Sequence, residues 1–343
     1  MIRTWIFEFF PELPDRAVAS GETTSSYAEN YLSLWTNAEA LGFDGIFFSE
    51  HHFGGSFSPS PNLLIAAVAA RTKTLRLGVM GVVVPYYTPA RIVEEIGLLD
   101  QLSGGRLEIG TAVGVPQELA KVGLSMDQAR AIYNEAIEIL DLALESGVVN
   151  YNGKHFEYRD LRLLPRPVQT PHPPKWSTVV SADSARRAAR RHSKICTGFT
   201  STGQVKEVFD AYLAETQTLG LKAGRDHLGL RRRVIVAESE AEASEMSQSA
   251  VERYKKFVAN DSRMKFSPVP DAPGQGAGFS VSSDEFISGT PGQVAENIIE
   301  QCRHTGAQHF LAVLHWGARF DEVSAAYQLF GRKVIPILKK AAI

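Results

Sequence analysis

Short apolar runs alternate along this chain with longer stretches whose apolar positions recur every three or four residues. The run at residues 4–10, Thr-Trp-Ile-Phe-Glu-Phe-Phe, is rich in aromatic and β-branched side chains and is stopped by Pro11 and Pro14, which predicts a strand. Residues 27–41 carry apolar positions at the helical period and are closed by Gly42, which predicts a helix. The same alternation continues. Strands are expected at 44–50, 75–84, 107–113, 175–181, 194–199, 231–237 and 308–314. Helices are expected from Pro61 to 72, from Pro89 to the Ser103-Gly104-Gly105 stop, and over 126–146, 183–191, 204–219, 241–258, from Pro291, and over 325–340. The 75–84 run is apolar almost throughout, as a strand buried on both faces should be. In the helix at 126–146, Ile132, Ala136, Ile139, Leu140 and Ala143 share one side.

Two stretches depart from the alternation. Residues 148–164 alternate polar and apolar around Asn152-Gly153, which predicts a hairpin. Residues 261–283 are rich in Gly, Pro and Ser and have no period, which suggests a mobile lid loop. With these set aside as insertions, eight strands alternate with about eight helices, and the expectation is a single α/β domain over 1–343, a (β/α)8 TIM barrel.

Composition narrows the function classes. The net charge of −2 argues against a nucleic-acid partner. The longest apolar runs, such as 63–70, are far too short to span a membrane. Glu8 interrupts the place where a signal peptide would be most apolar, so a cytoplasmic location is expected. Cys196 and Cys302 lie far apart in apolar settings and read as reduced, buried thiols.

The richest chemistry lies at Gly45-Ile46-Phe47-Phe48-Ser49-Glu50-His51-His52-Phe53. An apolar strand here delivers a carboxylate and two histidines to its C-terminal end and then breaks at Gly54-Gly55. If strand alternation persists, only one of His51 and His52 faces a central site. A pair of loop histidines, one capping backbone, is the plainer alternative. A metal-dependent hydrolase is disfavoured and no metal is expected, because the first strand holds no histidine pair two residues apart. Ser181 ends a strand and Ser184 falls in the first turn of the next helix, whose free amides attract anions; the same spacing also makes an ordinary N-cap. No Gly-x-Gly-x-x-Gly loop opens a helix, which argues against a dinucleotide site. Candidate substrate walls are Phe9 and Phe10, Phe53 and Phe57, and His315 and Trp316, all at ends of expected strands.

Several motifs together resemble the bacterial luciferase-like flavin-dependent monooxygenase family. They are Glu50-His51-His52-Phe53, Pro59-Ser60-Pro61, the stretch 70–78, and 98–110 with Asp100-Gln101-Leu102-Ser103-Gly104-Gly105-Arg106. The likeness continues through Pro165-Arg166-Pro167-Val168-Gln169, Ser181-Ala182-Asp183-Ser184-Ala185 and Ile287-Ser288-Gly289-Thr290-Pro291. The resemblance implies a (β/α)8 barrel binding reduced FMN supplied by a separate, transiently bound flavin reductase. With O2 it would oxidise a small organic substrate through a flavin peroxide. It implies His51 as the catalytic residue. Glu50, Met80, Gly81, Ala112, Arg130, Ser181 and Ser184 would bind the cofactor, with the Met80–Gly81 bond matching a cis peptide under the flavin ring in some members. Relatives that move hydride with a deazaflavin, or bind flavin without catalysis, are the alternatives. The resemblance also implies a homodimer through the helices after strands two and three, here 63–70 and 91–102 with Ile92, Ile96, Leu98 and Leu99. The chain departs from the family at Thr88-Pro89, where members often have His-Pro, and at Val113, where luciferase has a basic residue.

Overall fold

The computed structural model describes residues 1–11, 21, 23–54, 56–198, 200–260, 284–314 and 319–342. The expected lid at 261–283 and the wall residues His315 and Trp316 lie outside the described residues.

Eight strands carry the architecture: β1 Arg3–Glu8, β2 Gly45–Phe48, β3 Arg76–Val79, β4 Leu107–Ala112, β5 Lys175–Thr178, β6 Lys194–Gly198, β7 Leu228–Val236 and β8 His309–Val313. They are hydrogen-bonded in chain order from β1 to β6, β6 pairs with β7, β7 with β8, and β8 returns to β1. The closing registers are parallel, with Arg3 opposite His309 and Gly229 opposite His309 on the other side. The fold is the expected (β/α)8 barrel. Its strands are buried almost end to end, which explains why they read as continuous apolar runs.

By contact density the chain divides into two compact units. One comprises Met1–Glu8, Thr23–Ile46 and Ser177–Ile343, the other Phe9–Glu22 and Phe47–Trp176. In the first, the buried Glu8 carboxylate accepts from Trp35 Nε1 at 3.0 Å and the Tyr327 hydroxyl at 2.9 Å. Three successive arginines of β7 are also buried here. Arg231 stacks 4.5 Å over the Phe7 ring, Arg232 Nε donates to Gln301 Oε1 at 2.8 Å, and Arg233 is ion-paired with Glu285. Burial brings the Arg232 guanidinium down to about 10. Strand β7 begins at Leu228 rather than at 231, because residues 228–230 pair with β6 and β8, partners that no local pattern contains. The upper half of β7 also pairs, in parallel, with a short strand Phe286–Gly289 that the sequence pattern did not single out.

In the second unit, Phe47 packs edge-on to Trp176, whose Nε1 donates to buried Glu108 Oε2 at 2.6 Å. The other oxygen of Glu108 takes Arg76. Gly97 in the helix Pro89–Ser103 lies against the segment at Pro165, where an added Cβ would stand 1.8 Å from the Pro165 carbonyl oxygen. The residues of the Asp-Gln-Leu-Ser-Gly-Gly-Arg motif are joints. Asp100 accepts from the backbone and side-chain amides of Gln169 at 2.8 and 2.7 Å. Arg106 donates to Leu75 O at 2.7 Å, Ala69 O at 3.0 Å and Ser103 O at 2.6 Å.

Several boundaries differ from expectation for local reasons. The first strand stops at Glu8 because Phe10 turns to φ 45° and Pro11 bridges to Ser56. The expected 75–84 strand is two pieces, β3 and Val82–Val83, separated by a cis Met80–Gly81 peptide. Residues on both sides of the break stay buried, so hydropathy carries no trace of it. The hairpin pairs Val148–Asn152 with Glu157–Arg162, but its turn is longer than the Asn152-Gly153 signal implied. Glu135 holds that turn by accepting from the amides of Lys154, His155 and Phe156 at 3.0, 2.9 and 3.3 Å. The C-terminal helix begins at Phe320 and contains a π-helical turn at Phe330–Val334.

Candidate active site

Strand β2 ends at Phe48, so side-chain alternation does not reach the two histidines. The chain beyond it is fixed by Ser58, whose hydroxyl donates to Ser49 O at 2.6 Å and whose carbonyl accepts from His51 N at 3.1 Å. Each histidine then meets its own buried carboxylate. His51 Nδ1 lies 3.1 Å from Glu118 Oε1, and the Glu118 side chain is 2% exposed against 27% for His51. Glu118 sits in the first turn of the short helix Pro116–Lys121. Phe9 stacks on the imidazole at 5.9 Å with the planes 21° apart. A carboxylate at Nδ1 favours the tautomer with its hydrogen there, which leaves Nε2 as the nitrogen that exchanges protons with a ligand.

The second pair is built on Glu50. Its Oε1 accepts from His52 Nε2 at 2.8 Å and from the Tyr87 hydroxyl at 3.1 Å. Its Oε2 is enclosed and has no hydrogen-bond partner among the described residues. Tyr86 packs its ring perpendicular to His52, centroids 4.7 Å apart, and its hydroxyl is likewise enclosed and unpartnered. Burial, then the charges of Glu118 and Glu50, push the Tyr86 phenol up to about 12; burial and Glu50 raise Tyr87 as well. Both phenols are therefore neutral donors at ordinary pH.

The expected aromatic walls cluster beside these pairs. Phe10 and Phe57 meet edge to face at 5.7 Å, and Ser56 Oγ donates to Phe9 O at 2.7 Å. Phe53 is 52% exposed and lies 6.5 Å from the Tyr86 ring. Lys121 Nζ donates to its carbonyl at 3.3 Å. Phe10 and Phe53 both adopt positive φ, 45° and 66°, a costly conformation for bulky side chains that is found where a site must be held open or aimed.

The candidate cofactor residues divide between the two units. Met80 is buried, and its amide donates to Phe48 O at 2.8 Å. The place of a Gly81 Cβ is taken by the Thr111 and Gly110 backbone, 2.6–2.9 Å away, so neighbouring main chain by itself accounts for glycine there. Ala112, half-buried, ends β4. Arg130 is exposed on the helix Met126–Ser146 and makes no ion pair or hydrogen bond among the described residues. In the other unit, Ser181 caps the helix Ala182–Arg190. Its Oγ accepts from Ser184 N at 3.2 Å, and Ser184 Oγ accepts from the amides of Ser181 and Val180 at 3.0 and 3.1 Å. The two hydroxyls and the first-turn amides are gathered at one helix N-terminus, a composition suited to a phosphate.

Sequence reasoning missed Glu118, Tyr86 and Tyr87. Glu118 follows Pro116 at a helix start, where an acid reads as a dipole-favoured helix residue. The two tyrosines fall between the expected strand at 75–84 and the helix from Pro89, where nothing local marks them as part of a site. Among the described residues no cluster of His, Cys, Asp and Glu is placed to hold a metal ion, and no helix is long and apolar enough to cross a membrane.

Comparison with known proteins is consistent with this site. The protein y4wF of Sinorhizobium fredii (strain NBRC 101917 / NGR234) is 34% identical over 86% of this chain and 88% of its own length. The alkanal monooxygenase alpha chain of Aliivibrio fischeri is 25% identical over 93% of this chain and 96% of its own. Among solved structures, the monooxygenase RslO1 from Streptomyces bottropensis superposes with a TM-score of 0.83 at 25% identity, covering 98% of this chain and 99% of that one. The oxygenating constituent of 3,6-diketocamphane monooxygenase of Pseudomonas putida, solved in complex with FMN, shares the fold at a TM-score of 0.79 and 21% identity over 98% of this chain and 99% of its own. So does a coenzyme F420-dependent tetrahydromethanopterin reductase of Methanopyrus kandleri, at 0.71 and 17% over the same shares. The family model described as luciferase-like monooxygenase matches residues 11–309, and the chain belongs to that family.

Proposed function

We propose that this protein is the oxygenase component of a two-component system, using reduced FMN and O2 to oxidise a small organic substrate. The observation that carries the reading is the His51–Glu118 pair, a half-buried imidazole backed by a buried carboxylate on an aromatic wall. Bound reduced flavin would supply the two electrons that activate O2. His51 holds or returns a proton at Nε2, and Glu118 keeps the ring oriented. Ser181, Ser184 and the amides of their helix would hold the flavin phosphate. Met80–Gly81 and Ala112 would lie along the flavin ring, and Phe9, Phe10, Phe53 and Phe57 would exclude water from the reacting centre.

A cytoplasmic homodimer served by a diffusing reductase completes the reading. Ile92, Ile96 and Leu99 of the helix Pro89–Ser103 are buried within the chain. Leu98 and Leu102 face outward at 49% and 58% exposure, as does Leu63 of the helix Pro61–Ala69 at 71%. Such residues suit an interface with a second copy.

Anaerobic titration tests the cofactor directly: reduced FMN binds in the micromolar range or tighter, and NADH binds far more weakly. Oxygen consumption driven by a generic flavin reductase then follows the addition of substrate. Tight binding of NADH or of a deazaflavin with no affinity for FMN overturns the proposal.

A further inference from the structure

Glu50 Oε2 and the Tyr86 hydroxyl are complementary orphans. Ionised Glu50 only accepts hydrogen bonds, and it stands 5% exposed with one oxygen already accepting from both His52 and Tyr87. Its second oxygen has none, although a buried carboxylate oxygen ordinarily finds a donor. The Tyr86 hydroxyl, enclosed as well, has no hydrogen-bond partner among the described residues. The Tyr86 ring rests on His52, the same residue that holds Glu50, so the two orphans belong to one shell. The hydroxyl also feels the charges of both Glu118 and Glu50, which keep it a neutral donor.

We propose that Glu50 and Tyr86 form a substrate subsite that receives a neutral hydroxyl or N–H group carried on an aromatic ring. One such group satisfies both orphans, donating to Glu50 Oε2 and accepting from Tyr86. The ring bearing it meets Phe53, His52 and Tyr86, all aromatic. Anionic substrates are rejected, because among the described residues the charged groups of this cluster are the carboxylates Glu50 and Glu118 and the Lys121 ammonium, which is engaged at Phe53. Phe53 is the side chain that admits the ligand: it is exposed, lies over Tyr86, and is followed by Gly54 at φ 127°. The proposal rests on the reading of this site as the place where substrate is oxidised, and it adds the class of substrate.

Three probes of one ring system separate the possibilities on the full chain without flavin: 2-naphthol, its methyl ether and 2-naphthoate, with binding measured by saturation-transfer NMR and titration calorimetry. The wild type binds the naphthol roughly tenfold or more tightly than either competitor, as sites with unpaired polar groups do. Glu50→Gln, in which His52 and Tyr87 hold the amide oxygen and the amide nitrogen takes the place of Oε2, brings naphthol and ether to within about threefold, whereas Tyr86→Phe weakens both, since each oxygen accepts from that hydroxyl. Equal binding of all three probes by the wild type means that water alone occupies the gap and overturns the proposal. So does a naphthol preference that survives Glu50→Gln, or unchanged binding of naphthol and ether in Tyr86→Phe. Reduced FMN is titrated in parallel. A naphthol preference without flavin affinity overturns the proposed oxygenase function and leaves the subsite standing, whereas flavin affinity without the preference overturns the subsite alone.

Discussion

Glu118 Oε1 approaches His51 Nδ1 to 3.1 Å across 67 residues of sequence, joining the end of β2 to the helix after β4. The imidazole therefore has a fixed ring orientation and one nitrogen free for chemistry. Replacing His51 with alanine is expected to lower turnover by roughly a hundred-fold while leaving FMN affinity within a few-fold, the scale of general acid–base assistance. Glu118→Gln keeps the shape and removes the charge, and a loss of about ten- to a hundred-fold is expected. Steady-state turnover alongside flavin titration checks both, and a Glu118→Gln enzyme with unchanged turnover would remove Glu118 from the mechanism.

His52 has a different task. It gives Glu50 one of its two hydrogen bonds, and His52→Ala is expected to cost about 1–2 kcal/mol of stability, with flavin affinity kept. Urea unfolding followed by tryptophan fluorescence measures this. Abolished turnover in His52→Ala with turnover retained in His51→Ala would reverse the two assignments.

Gly97 faces the tightest approach in its unit. A methyl group there would stand 1.8 Å from Pro165 O, inside any allowed contact, and the opposing atom is backbone. Gly97→Ala is expected to destabilise by about 1–3 kcal/mol or more despite the better helix propensity of alanine, because overpacking outweighs it. A thermal melt equal to or above wild type would show that the 164–166 segment moves aside freely.

Acid sensitivity should trace to His309. Trp5 Nε1 donates to its Nδ1 at 2.9 Å, so the ring hydrogen sits on Nε2 and goes to Asp226 O at 3.0 Å. Burial, reinforced by Lys194, lowers this histidine from 6.5 to about 3. Between those values the unfolded chain binds the extra proton and the folded one does not. The stabilising contribution is complete above about pH 6.5 and is lost as pH falls toward 3, reaching about 2 kcal/mol lost at pH 5. Urea midpoints at pH 7.5 and 5 measure the slope. His309→Gln is expected to be less stable at pH 7.5 and flatter between the two; an unchanged slope would place the acid sensitivity elsewhere.

Association is checked by light scattering at micromolar concentration. A dimer is expected for the wild type, and a monomer for Leu98→Glu/Leu102→Glu, whose substituted positions lie on the outward face of the helix Pro89–Ser103. A wild-type monomer removes the homodimer.

The barrel was legible because most of its short buried strands are dominated by apolar and β-branched residues, and proline and glycine punctuate the helices between them. The start of β7 was not, since residues 228–230 become strand by pairing with β6 and β8, which are distant in sequence. At the site, His51 stood out because its residue type and its place at a strand end are local facts. Glu118 and Tyr86 did not, because their meaning arises only when distant segments meet. The expected alternation of His51 and His52 failed as an argument, although it singled out the histidine now paired with Glu118, because the strand ends three residues before His51.

Asp100 and Arg106 tie helix ends and the 165–169 segment together. The most recognisable phrase in this sequence is thus a statement about carpentry. For classifying new members, the informative positions are the inconspicuous ones: the acid that faces His51, and whatever side chain stands where Tyr86 does here.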